Sequence, residues 1–107
     1  MIGASMGGDF AAQAAEADPA AIHRLVLLAA GAYTPLVHFK GPKLFVLARD
    51  DGNTEGPRVP KIRAQFEKAA DPKAMVIVEG SAHAQFLFAT PQGDRVLREI
   101  FDFLSAP

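Results

Sequence analysis

Three short, almost unbroken apolar runs divide the chain: Arg24-Leu25-Val26-Leu27-Leu28-Ala29-Ala30, Leu44-Phe45-Val46-Leu47-Ala48 and Met75-Val76-Ile77-Val78. None alternates apolar with polar residues, as a strand with one wet face would. Each therefore suits a strand buried on both faces, which is the condition inside a parallel sheet. The segments between and around them have helical character. Residues 6 to 17 are Ala-rich, with Phe10, Ala11, Ala14 and Ala15, and should stop near Asp18-Pro19, because the residue before proline avoids the α region. Residues 58 to 70 place Val59, Ile62, Phe66 and Ala69 on one helical face and Lys61, Arg63, Glu67 and Lys68 on the other. At the end of the chain Val96, Leu97, Ile100, Phe101 and Leu104 form one helical stripe, with Thr90 as N-cap and Pro91 as first helical residue. Strands alternating with helices over short loops predict an α/β fold, a three-strand parallel sheet with flanking helices and right-handed crossovers.

Composition narrows the function classes. At 107 residues, half of them hydrophobic, the chain suffices for one small core and is one domain, 1–107, or a piece of one. A formal net charge of −1 with no basic cluster argues against nucleic acid or an anionic membrane as partner. No segment approaches the roughly 20 apolar residues that cross a bilayer, and no export signal opens the chain. The reading is a soluble, cytoplasmic protein. The absence of cysteine removes disulfides, thiolate metal sites and a cysteine nucleophile.

Chemistry is concentrated in three places. Gly3-Ala4-Ser5-Met6-Gly7 is a G-x-S-x-G pentapeptide directly before a predicted helix, the pattern of a nucleophile elbow that exposes a serine at the top of a parallel sheet. Asp50 and Asp51 follow the Leu44 strand, and His83 follows the Met75 strand in the setting Gly80-Ser81-Ala82-His83. The order Ser, Asp, His is the one this type of elbow requires. A serine hydroxyl needs a histidine to take its proton, and the imidazole needs a carboxylate to fix its tautomer. Of the other serines, Ser81 lies in the histidine loop and Ser105 in the C-terminal tail. His23 precedes a strand on its N-terminal side and His38 lies in a connector, so neither stands at the sheet edge where ligands bind. Glu55 is a more distant acid. A phosphate site at the Gly3 to Gly8 turn is disfavoured, since no lysine follows as in a P-loop.

Taken together, these motifs resemble the C-terminal half of a small α/β-hydrolase of the esterase and dienelactone-hydrolase-like group, over essentially the whole chain. The resemblance implies a partial α/β-hydrolase fold lacking its N-terminal strands. It also implies Ser5 as nucleophile, His83 as general base, Asp51 as acid and the Met6 backbone N–H as an oxyanion donor, with no cofactor or metal. In that family the acid stands fourth in a Gly-x-x-Asp type turn; with Ala48 in the glycine place, Asp51 fits and Asp50 does not. The implied partner is a small-molecule ester or other acyl compound. The 12 or so residues from Gly31 to Lys43 leave no room for a cap, and Tyr33, Phe39, Phe86 and Phe88 are candidates for an acyl pocket. The family's second oxyanion donor comes from a loop with no counterpart here, so the expectation is a truncated enzyme, weakly active or inactive alone. With the preceding strands absent, the Arg24 to Ala30 strand should form an exposed apolar edge. Through it the chain could pair as a homodimer, or act as a non-catalytic interaction module.

Overall fold

The computed structural model describes residues 1–30 and 33–106. Gly31, read above as the start of the connector after the first apolar run, lies outside the described residues. The elements are β1 (Ile2–Ala4), α1 (Met6–Ala17), β2 (Leu25–Leu28), β3 (Lys43–Ala48), the short hairpin strands β4 (Gly52–Asn53) and β5 (Gly56–Pro57), α2 (Val59–Lys68), β6 (Lys73–Val78) and α3 (Gly93–Ser105). The main sheet has the order β1-β2-β3-β6, and every neighbouring pair is parallel.

Strand alternation sorts the core into two layers. Leu25, Leu27, Phe45 and Leu47 face one side, covered by α1 and α2 with Leu36 and Phe39 of the connector. Val26, Leu28, Leu44 and Val46 face the other, covered by Leu87, Val96 and Ile100. The helix α1 meets the sheet through Ala11, Ala12 and Ala15, whose small side chains let its backbone approach closely. In α2, Ile62 is buried, the Phe66 ring packs edge-on against Phe45 at 5.4 Å, and Gln65 donates to the Thr34 carbonyl at 2.8 Å.

Five expectations are corrected. The sheet has four strands rather than three, because Ile2–Ala4 pairs with Val26 to Leu28. That pairing makes β1 the open edge, so the Arg24 to Ala30 run is interior. At the opposite edge, Met75, Val76 and Ile77 are only partly buried, since β6 has one neighbour instead of two. In α3, Val96 and Ile100 are buried whereas Leu97, Phe101 and Leu104 are exposed. Thr90 does not cap α3: Gln92 holds the cap position, and the Thr90 hydroxyl donates to the Leu87 carbonyl at 2.7 Å and accepts from the Gln92 N–H at 3.1 Å. Two elements are tied by Arg24, which precedes β2, donates to the Phe103 carbonyl at 2.8 Å and to that of Ala106, and lies over the Phe103 ring. A guanidinium at the carbonyl end of α3 also suits the helix dipole.

The connector has no helix or strand among its described residues and is held by one carboxylate. Glu16, in the last turn of α1, accepts from the backbone N–H groups of Val37 (3.1 Å), His38 (2.9 Å) and Phe39 (3.0 Å) and from the His38 ring at 2.8 Å. An acid at a helix C-terminus opposes the dipole; here it earns its place by seating Phe39 in the core. Burial pushes this carboxyl up, but the three backbone donors and His38 together outweigh burial and hold it below its ordinary 4.5. A folded value below the unfolded one stabilises the fold above about pH 4.5 and ceases to do so as the pH falls through the folded value. Glu16→Gln should therefore lower the urea midpoint at pH 7 and lose less stability than the unaltered chain between pH 5 and pH 3. Equal pH slopes for the two proteins would show that another group governs the acid limb.

Candidate active site

Three strands end at the same edge of the sheet, and each is followed by one of the singled-out residues. The chain leaves β1 at Ala4 and turns at once into α1. Ser5, the turning residue, has φ 51° and ψ −121°, a backbone state that costs a non-glycine residue on the order of 1–3 kcal/mol. It is held by its own N–H to the Leu28 carbonyl (2.9 Å) and by its carbonyl, which accepts from Gly8 (2.9 Å) and Asp9 (3.2 Å). The turn is close-packed where glycine allows it. A Cβ on Gly3 would lie 2.6 Å from the Gly7 oxygen and the Gly8 Cα, and one on Gly8 would lie 2.8 Å from the Ala30 Cβ. A Cβ on Gly7 would meet nothing within 4 Å.

The loops after β3 and β6 are laced together beyond the strand ends: Arg49 N–H donates to the Val78 carbonyl (2.8 Å) and Asp50 N–H to that of Gly80 (2.9 Å). This lacing brings Asp51 and His83 to one point. The Asp51 Oδ2 lies 2.7 Å from His83 Nδ1, and the other ring nitrogen, Nε2, lies 2.8 Å from Ser5 Oγ. An ionised carboxylate only accepts, so Nδ1 carries the proton and Nε2 is the acceptor for the Ser5 hydroxyl. The Asp51 side chain is 3% exposed, while that of His83 is 31% exposed and open to an incoming molecule. The Met6 N–H stands first in α1, where helix geometry gives it no intrahelical acceptor. Besides Ser5, the non-glycine residues with positive φ among those described are Ala29 (51°) and Ala84 (55°), one after β2 and the other after His83. Backbone strain thus collects at this edge, as it does at functional sites generally.

The remaining candidates lie elsewhere. Asp50 is exposed, and Glu55 pairs with Lys61 at 3.8 Å. His38 is engaged by Glu16, and His23 is exposed at the opposite end of β2. Of the four aromatic residues, Phe39 is buried in the core and cannot line a pocket, while Tyr33, Phe86 and Phe88 are exposed. Tyr33 lines a small depression, with a volume of about 10 Å³, together with Ala30, Asn53, Glu55, Arg58, Lys61 and Ile62. Among the described residues no group of three or more His, Asp or Glu is gathered as a metal site, and no helix is long and apolar enough to cross a membrane.

No protein-family profile and no curated protein matches the chain. Among solved structures, it is similar to the crystal structure of a dienelactone hydrolase from Anabaena variabilis, at 25% identity and a TM-score of 0.76. The match covers 94% of this chain and 44% of the neighbour's, so the chain spans less than half the length of the protein it resembles. The fold is a partial α/β-hydrolase fold. One neighbour of the site had no signal in the periodicity. Arg58 donates to the Asp51 carboxylate from the position that precedes α2, where a short capping acceptor such as Ser or Asp is usual. A long cation at that position was the available clue.

Proposed function

We propose that Ser5, His83 and Asp51 are the nucleophile, general base and acid of a serine hydrolase acting on esters of small acyl compounds. The observation that carries this reading is the unbroken hydrogen-bond line from Asp51 through His83 to Ser5, at 2.7 and 2.8 Å. A dienelactone hydrolase as structural neighbour supports hydrolysis as the reaction class. In the proposed reaction the Ser5 oxygen attacks the acyl carbon while its proton passes to His83 Nε2, and the Met6 N–H donates to the oxyanion. As the intermediate collapses, the alcohol leaves with the proton from Nε2. A water molecule then attacks the acyl-serine, giving its proton to Nε2, and as the acyl–Oγ bond breaks Nε2 returns that proton to Ser5 Oγ, releasing the acid and restoring the hydroxyl. The test is covalent labelling by a fluorophosphonate, which needs only an activated serine, with the adduct located by peptide mass spectrometry. Modification confined to Ser5 is the expected result; no adduct, or one on Ser81 or Ser105, would refute the assignment.

A second reading, a non-catalytic module that pairs through the sheet, is favoured by a different observation. The open edge of β1 is flanked by Ile2, Met6 and Phe10, exposed at 51%, 68% and 62%. Such a module would sediment as a dimer that Ile2→Lys and Phe10→Asp dissociate, with no labelling of Ser5. A monomer at micromolar concentration would eliminate this reading.

A further inference from the structure

We propose that Arg58 is a positioning residue that sets the plane of the Asp51 carboxylate and, through it, the aim of the His83 ring. This inference rests on the hydrolase reading of Ser5, His83 and Asp51. The two oxygens of Asp51 are divided between two donors: Oδ2 accepts from His83 Nδ1 at 2.7 Å and Oδ1 from Arg58 Nε at 3.2 Å. Arg58 holds the same residue a second time, its backbone N–H donating to the Asp51 carbonyl at 2.9 Å. Its own carbonyl accepts from Ile62 at 3.0 Å, so the arginine is fixed to the first turn of α2.

The physical need is plain. A carboxylate with a single donor can rotate and offer either oxygen, or neither, to the imidazole; a second donor from another direction removes that freedom. A buried carboxylate also loses its hydration and must be compensated by donors or charge. Among the described residues, Arg58 and His83 are the donors to the Asp51 side chain. The nearby cations are committed elsewhere: Arg49 pairs with Glu79 at 2.7 Å and Lys61 with Glu55 at 3.8 Å. With its side chain 22% exposed, Arg58 also lies partly withdrawn from solvent, where a planar N–H donor is hard to replace with water.

The test compares Arg58→Ala and Arg58→Lys with the unaltered protein by three measurements: the rate of fluorophosphonate labelling at Ser5, the proton resonance of His83 Nδ1–H, and thermal unfolding. Arg58→Ala should slow labelling by about 10- to 100-fold, the scale of a misaimed catalytic group. It should also broaden the Nδ1–H resonance through exchange with water. Arg58→Lys, which keeps charge but loses the planar donor, should recover part of both. Should Arg58→Ala fail to fold, the lysine variant decides alone, with labelling at least about threefold slower than in the unaltered chain as the expected result. A lower unfolding temperature with the resonance and the labelling rate unchanged would overturn the proposal, since that is what a purely structural salt bridge would give. If the unaltered protein takes no label, the hydrolase reading fails by itself, while the His83 resonance still decides whether Arg58 orients the pair.

Discussion

Replacing Ser5 by alanine should abolish fluorophosphonate labelling entirely, and replacing His83 by alanine should slow it by about four orders of magnitude. The two effects differ in kind. Without the Ser5 oxygen there is no atom to phosphonylate. Without His83 the hydroxyl remains but must lose its proton to solvent, because Nε2, at 2.8 Å, is the acceptor the structure offers it. Combining His83→Ala with Asp51→Ala should cost little more than His83→Ala alone, since the carboxylate acts through the ring. Ser5→Gly separates chemistry from architecture. It removes the nucleophile as completely as Ser5→Ala but relieves a residue held at φ 51° and ψ −121°, so it should raise stability by about 1 kcal/mol relative to Ser5→Ala. Undiminished labelling of the Ser5→Ala protein, or a His83→Ala protein that labels at the original rate, would defeat the assignment.

The glycines of the turn should separate just as sharply in stability. Gly3→Ala is expected to cost about 3 kcal/mol or more, because its new methyl would sit 2.6 Å from backbone atoms of Gly7 and Gly8 that are fixed by the helix start. Against a total stability of about 5–15 kcal/mol for a domain, that loss removes a large share of the margin while leaving the protein mostly folded in the absence of denaturant. Gly8→Ala should cost about 1–3 kcal/mol, since it meets the Ala30 methyl at 2.8 Å. Gly7→Ala should instead be neutral or stabilise by up to about 1 kcal/mol, because its methyl enters open space on a helix where glycine is a poor former. Urea unfolding of the three variants gives the ranking. A Gly7→Ala protein as damaged as Gly3→Ala would mean that the elbow is packed differently from the structure described.

Much of this architecture could be read from residue patterns because burial on both faces leaves a signature. The runs around Leu25 and Leu44 stand out for that reason, the Met75 run carries the same apolar pattern although β6 is an edge strand and only partly buried, and the alternation of all three with helices implies the parallel sheet. The helix starting after Ser5 follows from the same local logic. What escaped has a common cause: periodicity reports which face of an element is apolar and is silent on whether another element covers it. Leu97, Phe101 and Leu104 share a stripe with Val96 and Ile100, yet only the latter two reach the sheet. The strand at Ile2–Ala4 was too short to show a pattern and is defined by its pairing with β2. Thr90-Pro91 satisfied the local rule for a helix start, but the Thr90 hydroxyl is used within a preceding turn. The meeting of Ser5, Asp51 and His83 was implied by their order after strands, whereas the contribution of Arg58 depends on the path of the β4–β5 hairpin, which brings the chain back to Asp51.

The line of hydrogen bonds at the sheet edge joins residues 78 positions apart, with Ser5 on one outer strand's exit and His83 on the other's. Neither local helix formation nor any single hairpin can bring these atoms together; β1 must dock on β2 and β6 on β3 before they meet. Closing so long a loop is the entropically expensive, slow part of assembling such a topology. On the proposed reading, labelling of Ser5 would be a clock for the completion of folding, and in a refolding experiment the ability to take up label should emerge only after the helical signal has already returned.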